Sequence, residues 1–144
     1  MNKERQRRIL VAFMLGTIAL LSGCGSSSST GTATKTYKLA FIPGVKGDPF
    51  YVSMECGIDA EAKKLGATVS TQGPTHFAAP EQIPIVQSVI ASKPDAIIIA
   101  ATDSTALIAP LKQAAAAGIK IVLVDTTVTD PSMAVSQIAT DNSK

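Results

Sequence analysis

The sequence has few of the residue types from which metal centres, disulfide frameworks and nucleophilic active sites are built. Its 144 residues include two cysteines and one histidine. Two cysteines support neither a disulfide framework nor a cysteine-ligated metal cluster. A catalytic thiol at Cys56 would need a nearby base, and His76, the one histidine, lies far along the chain. We therefore predict no metal site and expect Cys56 to be a free thiol at or near the surface.

The sequence also lacks the phosphate-binding loops of nucleotide-dependent proteins. The dinucleotide fingerprint Gly-x-Gly-x-x-Gly is absent after the first predicted strand, where residues 43–48 are Pro-Gly-Val-Lys-Gly-Asp. A phosphate loop ending in Gly-Lys-Ser or Gly-Lys-Thr is absent as well. We expect no cofactor.

Positive charge is scarce once the first 23 residues are set aside. The chain has 13 Lys+Arg and 11 Asp+Glu; residues 1–23 hold four and one of these, which leaves nine against ten, a net charge of −1. No arginine cluster remains that could neutralise phosphates. A nucleic acid is therefore not an expected partner.

The first residues have the features of a bacterial signal peptide. A basic start precedes the apolar run Ile9–Leu21, whose 13 residues are fewer than the roughly 20 that a membrane-spanning helix needs. Leu21-Ser22-Gly23-Cys24 resembles the lipobox of bacterial lipoproteins, in which the cysteine is acylated after cleavage. We predict a signal peptide over residues 1–23, and a lipidated Cys24 with a flexible Ser/Thr/Gly tether over residues 24–36. The protein would then be anchored to a membrane on its extracytoplasmic side.

Residues 37–144 alternate between strand and helix patterns. Pro84 interrupts the second helical pattern, so we expect the regular helix there to begin close to Pro84. The alternation predicts an α/β fold, a doubly wound parallel sheet with the flavodoxin-like strand order 2-1-3-4-5. The predicted strands are Leu39–Ile42, Ala67–Gln72, Asp95–Ala100, Lys120–Val124 and Ala134–Ala139, and the helices are 49–65, 81–92 and a third that ends at Gly118.

Polar loops follow each of these strands, and a parallel sheet brings them to one edge. Ionised carboxylates accept hydrogen bonds from sugar hydroxyls, and aromatic rings pack on the C–H faces of sugars. The loops contain both residue types, so the sequence predicts a carbohydrate site at this edge. The candidates are Asp48, Phe50, Tyr51, Asp125 and Thr126, with Lys46, Gln72 and Asp103 as weaker ones.

Several candidates are equally suited to a structural role. Asp48 and Asp103 are placed to cap helices, Phe50 is suited to the core, and Tyr51 is suited to begin the apolar stripe of the first helix. Asp125 is the strongest candidate, since a carboxylate directly after a fully apolar strand must find partners at the crevice or in solvent.

A series of motifs in this order resembles the type I periplasmic sugar-binding lipoproteins of ABC importers, which are related to ribose-binding protein. This resemblance implies a receptor without catalysis, whose two lobes close on a hinge around a monosaccharide or similar polyol for delivery to a permease. By position, Asp48 and Asp125 match carboxylates or amides that bind sugar hydroxyls, and Phe50 and Tyr51 match an aromatic pair that packs on the ring. The motifs are Gly47–Tyr51, Gln72–Thr75, Gln82–Val86, Pro94–Ile97, Val124–Thr127 and Ala139–Asn142.

This chain departs from the family pattern at residues that concern the ligand and in the length of the domain. Ribose binders usually have arginine where this chain has Thr126, and autoinducer-binding relatives have lysine where it has Gly44. The resemblance therefore argues against ribose and against the furanosyl autoinducer. The family continues beyond the Asp-Asn motif, so we expect residues 37–144 to be an incomplete N-terminal lobe without the second lobe.

Other functions stay open at this point. The protein could instead sense a ligand for a chemoreceptor or another signalling partner, or be a non-functional gene fragment. A repressor of the LacI type shares the lobe but begins with a helix-turn-helix, not with an export signal. An enzyme on such a sheet would need a base or nucleophile pair, which the sequence does not show.

We predict that Cys24→Ser abolishes lipid modification and releases the protein from the membrane, because the two or three acyl chains of a lipoprotein are the predicted anchor. Fractionation and mass spectrometry of the wild type and the variant test this. Ser22→Ala, which leaves the cysteine in place, is the control and should stay bound. Membrane association of an unmodified Cys24→Ser protein would contradict the prediction.

Overall fold

The computed structural model describes residues 35–139. The predicted signal peptide, Cys24 and the polar loop at residues 140–142 lie outside the described residues. Within residues 35–139, no helix is both long enough and apolar enough to cross a membrane.

Five parallel strands form one sheet in the order β2-β1-β3-β4-β5, which confirms the predicted fold class and strand order. The strands are β1 (Lys38–Ile42), β2 (Thr68–Thr71), β3 (Ala96–Ile99), β4 (Lys120–Val124) and β5 (Ala134–Ile138), and the helices are α1 (Pro49–Leu65), α2 (Ala79–Ser92) and α3 (Ile108–Ala116).

The helices cover both faces of the sheet. Alternate residues of the strands point to opposite faces, so Ile42 packs in the cluster with residues of α2 and α3, whereas Phe41 packs with Tyr51 of α1. Both Phe41 and Ile42 are fully buried. This two-sided burial is the physical reason that the central strands are continuous apolar runs.

The ends of α1 follow the local signals in the sequence. Asp48 caps the helix, with its side chain accepting a hydrogen bond from the Phe50 N–H at 2.9 Å, and Pro49 is the first helical residue. The helix ends at Gly66, whose φ of 69° is left-handed. The predicted apolar stripe is only partly correct: Ala62 is buried, but Leu65 is 74% exposed.

The expected start of α2 close to Pro84 is wrong. The helix begins at Ala79, and Pro84 lies inside it. Pro84 costs the helix one backbone donor. The first turn of the helix nevertheless packs against the rest of the protein, because Ala79 and Gln82 are buried. Tertiary contacts therefore outweigh the local penalty of the proline.

We predict that Gly66→Ala lowers the free energy of unfolding by about 1 kcal/mol, because a β-carbon is disfavoured in the left-handed region. A β-carbon there would touch no atom within 4 Å, so the cost is one of backbone conformation alone. Gly57→Ala is the matched control: it also has no neighbour within 4 Å, but its φ is not positive. The control should stabilise α1 by about 0.5–1 kcal/mol in urea unfolding. Equal effects of the two variants would contradict the role of Gly66.

Candidate ligand-binding site

The polar loops meet at the carboxyl edge of the sheet, as predicted. The Ala100 N–H donates to the Ile42 carbonyl at 3.0 Å, and the Asp125 N–H donates to the Ile138 carbonyl at 2.9 Å. These bonds align the ends of neighbouring strands, so the loops that follow β1, β3 and β4 start at one level. In open α/β sheets this edge is where ligands bind.

The closest side-chain contact at this edge joins α1 to the end of β4. The Tyr51 hydroxyl donates a hydrogen bond of 2.9 Å to Asp125 Oδ2. Tyr51 is only 7% exposed and packs in one cluster with Phe41, Ala100 and Val124. Burial, with the hydrogen bond to Asp125 as a second cause, raises the pKa of Tyr51 well above its ordinary value. The phenol therefore stays a donor and holds the carboxylate in place.

Asp125 has an unusual backbone. Its φ is 59°, in the left-handed region that few residues other than glycine adopt, although Asp and Asn tolerate it better than most. Its N–H is bonded to β5 and its Oδ2 to Tyr51. No described donor bonds to Oδ1. The half-buried side chain thus has one oxygen held by the protein and one oxygen without a described donor.

Phe50 and Tyr51 have different surroundings. Phe50 is 48% exposed, and its ring stands edge to face with Tyr51, with the centroids 5.1 Å apart and the planes at 77°. Tyr51 forms part of the packed floor of the edge, whereas Phe50 offers an apolar surface to solvent. An exposed aromatic ring beside an acceptor carboxylate suits a molecule with both C–H and hydroxyl faces.

Two other candidate carboxylates have capping roles, which the sequence left open. Asp48 Oδ1 accepts from the Phe50 N–H. Asp103 Oδ1 accepts from the N–H groups of Ala106 and Thr105 at 2.7 and 2.8 Å, and these bonds, with Ala106 the larger cause, lower the pKa of Asp103. Asp103 thus stabilises the turn before α3 rather than the first residue of α3, which lacks a side-chain cap. Contacts of either residue with a ligand stay predictions.

The remaining candidates lie at the edge but do not converge on Asp125. Thr126 Oγ1 donates to the Ala101 carbonyl at 2.7 Å, which ties the end of β4 to the end of β3. The side chains of Lys46 and Gln72 are exposed, and the Lys46 N–H donates to the Pro74 carbonyl at 2.8 Å. Their roles in binding stay predictions.

Gln82 is an important residue of this edge to which the sequence assigned no role. It is fully buried, and its Nε2 donates to the carbonyls of Pro43 at 3.2 Å and Ala100 at 2.8 Å. Its Oε1 accepts from the N–H and the hydroxyl of Thr102 at 2.8 and 2.9 Å. The side-chain amide of Gln82 therefore provides hydrogen-bond partners for backbone groups in the loops after both β1 and β3. The available signal was a polar residue in phase with the buried Val86 and Val89 of α2.

Histidine and cysteine form no reactive pair in the described part of the chain. Cys56 is exposed, which confirms the prediction for this thiol. His76 is exposed too, with Nδ1 2.6 Å from Glu81 Oε1, and the hydrogen bonds from His76 and Thr75 lower the pKa of Glu81 to about 2. Residues 35–139 contain no group of three or more His, Cys, Asp or Glu side chains that could hold a metal ion.

Two grooves compete as binding sites. A shallow one of about 800 Å³ lies at the amino edge of the sheet, between residues such as Tyr37, Lys93 and Lys120. A smaller one of about 260 Å³ lies at the carboxyl edge, between Phe50 and Asp125. The smaller groove is the better candidate because the exposed Phe50 and Asp125 both line it, whereas Asp95, the one acid lining the larger groove, is paired with Lys35.

Comparison with known proteins agrees with this fold. A family model described as periplasmic binding protein domain matches residues 39–144. The chain therefore belongs to the periplasmic binding protein domain family, and its sheet is that of one lobe of a type I periplasmic binding protein.

Individual relatives bind different small molecules. The ribose import binding protein of Bacillus subtilis (strain 168) is 27% identical over 135 residues, which cover 94% of this chain and 44% of that protein. An ABC transporter solute binding protein from Agrobacterium vitis, bound with alpha-D-tagatopyranose, is 42% identical with a TM-score of 0.72, over 74% of this chain and 39% of that one. LsrB from Clostridium saccharobutylicum in complex with AI-2 is 26% identical with a TM-score of 0.66, over 69% and 30%. The chain spans less than half the length of these relatives.

We predict that Gln82→Met lowers the free energy of unfolding by about 2–4 kcal/mol, since it leaves the Pro43 and Ala100 carbonyls and the Thr102 N–H buried without their partner. Gln87→Met is the matched control, because Gln87 is an exposed residue of the same helix. The control should change stability by less than about 0.5 kcal/mol. Equal midpoints of the two variants in urea would show that the Gln82 network is not needed.

Proposed function

We propose that this chain forms one wall of the binding site of an extracytoplasmic receptor for a monosaccharide or similar polyol. The observation that supports this most directly is the pairing of exposed Phe50 with Asp125, whose Oδ1 faces no described donor. The ring offers an apolar face, and the carboxylate oxygen offers an ionised acceptor for hydroxyls. A sugar has both complementary features.

The relatives support this ligand class. The solved structure at 42% identity holds alpha-D-tagatopyranose, and the curated relative is a ribose import binding protein. Thr126, where ribose binders usually have arginine, offers no charge and is bonded to Ala101. We therefore expect a ligand other than ribose, and a sugar in pyranose form is the first to test.

The wider role follows from the family. The relatives are solute-binding proteins of ABC transporters, which bind a ligand and do not catalyse. We therefore infer that two lobes close on a hinge around the ligand and that the protein delivers this ligand to an ABC transporter permease. The lipobox at Leu21–Cys24 supports membrane anchoring on the extracytoplasmic side. No enzyme activity, cofactor or nucleic acid is part of this proposal.

We predict that Asp125→Ala weakens binding by about 1.5–3 kcal/mol for each hydroxyl accepted by the carboxylate, roughly tenfold to more than a hundredfold in Kd. Asp125→Asn should lose less, because the amide keeps an acceptor and asparagine tolerates the left-handed backbone. Phe50→Ala should be intermediate, since it loses ring packing without a charge-assisted bond. Calorimetric titration with D-tagatose and D-ribose measures these effects.

Asp59→Asn is the matched control for charge, because Asp59 is an exposed residue of α1 and is not a candidate of this site. It should leave Kd within about threefold. If Asp125→Ala stays within threefold of the wild type while Asp48→Ala abolishes binding, the anchoring carboxylate is Asp48. These titrations use the receptor with both lobes, because we expect residues 37–144 to form one wall of the site only. If no sugar or polyol binds the wild type of that receptor, the proposed ligand class is wrong.

A further inference from the structure

Gly44 lies against the Tyr51 ring more closely than any side chain would allow. It is buried directly after Pro43 at the end of β1. A β-carbon on Gly44 would lie 2.4 Å from the Tyr51 hydroxyl oxygen, 2.8 Å from Tyr51 Cζ and 2.6 Å from Phe77 Cε2. Such separations are well inside van der Waals contact, so a side chain at position 44 and this placement of Tyr51 exclude each other.

The reason for glycine here is steric and not conformational. Gly44 is not among the residues of positive φ, so its backbone is open to any residue. Phe77 is 49% exposed and its ring end can turn into solvent. Tyr51 cannot yield in the same way, because it is buried and its hydroxyl is bonded to Asp125. Tyr51 is therefore the neighbour that requires a glycine.

The placement of Tyr51 determines which part of Asp125 a ligand can use. A carboxylate at a strand end can accept ligand hydroxyls through both oxygens, four lone-pair sites in all. Here Oδ2 accepts from Tyr51, and Oδ1 is the oxygen without a described donor. The left-handed backbone at Asp125 and its N–H bond to β5 keep the side chain from turning freely.

We propose that Gly44 and Tyr51 act together as a specificity determinant: Gly44 admits the Tyr51 phenol, which takes one of the two lone-pair sites on Oδ2 of Asp125, so that Oδ1 is the oxygen left fully open to ligand hydroxyls. Both are positioning residues, since they act through Asp125. The statement about the ligand rests on the proposed function, whereas the contact between Gly44 and Tyr51 does not.

The first test needs no ligand and follows the ionisation of Tyr51. The chain has two tyrosines, so Tyr51 is the one left in a Tyr37→Phe background. In that background the phenolate absorbance should appear only well above the ordinary range of tyrosine, because burial and the bond to Asp125 raise the pKa of Tyr51. Adding Gly44→Ala should move the absorbance change to much lower pH, because the displaced Tyr51 loses its burial and its bond to Asp125.

Controls make this readout specific. Gly57→Ala, also a glycine-to-alanine change but without a neighbour within 4 Å, should behave as the wild type. Adding Tyr51→Phe to the Tyr37→Phe background should remove the phenolate signal, which assigns it to Tyr51. Circular dichroism at the same pH reports whether each variant is folded. If Tyr51 of the folded Gly44→Ala variant still ionises at as high a pH as it does without that change, the inference is overturned.

A stability cycle covers the case in which Gly44→Ala does not fold. On a Tyr51→Leu background the hydroxyl and Cζ are gone, so adding Gly44→Ala should shift the urea midpoint no more than Gly57→Ala does. If Gly44→Ala lowers the stability of the Tyr51→Leu protein more than Gly57→Ala does, a neighbour other than Tyr51 requires the glycine, and the inference is overturned.

The ligand test follows on the same variants. Tyr51→Phe frees Oδ2 and should change Kd for the bound sugar by about tenfold or more, in either direction, while changing the ranking of sugars that differ in one hydroxyl. In Gly44→Ala the further change Tyr51→Phe should have less than about a twofold effect. Additive effects would overturn the coupling. Tyrosine titration as expected without any sugar binding would support the contact and contradict the proposed function.

Discussion

The hydrogen bond from the Tyr51 hydroxyl to Asp125 is the interaction on which the carboxyl edge depends. It joins the first turn of α1 to the end of β4, two positions separated by 74 residues. Three features make it possible: an apolar floor under the ring, a glycine beside the ring and a left-handed backbone at Asp125. In return, the bond holds one oxygen of the half-buried Asp125 and leaves the other without a described donor.

The loops around this bond are held by side chains rather than by regular structure. Gln82 joins the loops after β1 and β3, and Thr126 joins the loops after β4 and β3. Loops are usually the mobile parts of a fold. Here buried hydrogen bonds limit that freedom, so the wall is organised before a ligand arrives. Preorganisation of this kind reduces the entropy that binding costs.

Relatives of this chain bind ribose, a tagatopyranose and AI-2, according to their names. A common sheet with different edge residues accounts for such variety, because the scaffold sets positions and the loops set chemistry. Position 44 is an example of this division. A side chain there cannot coexist with the present placement of Tyr51, so the residue at position 44 decides whether Tyr51 can bond to Asp125.

The sequence by itself determined the strands and helix ends such as Pro49 and Gly66, because these follow from patterns among neighbouring residues along the chain. The strand order and the edge at which polar loops gather then followed from the topology that such alternating strands and helices adopt. Tertiary structure alone decided the rest. The buried hydrogen bonds of Gln82 join residues 18 to 39 positions away. Likewise, the buried role of Tyr51 and the choice of oxygen on Asp125 depend on contacts between distant segments, which local pattern cannot contain.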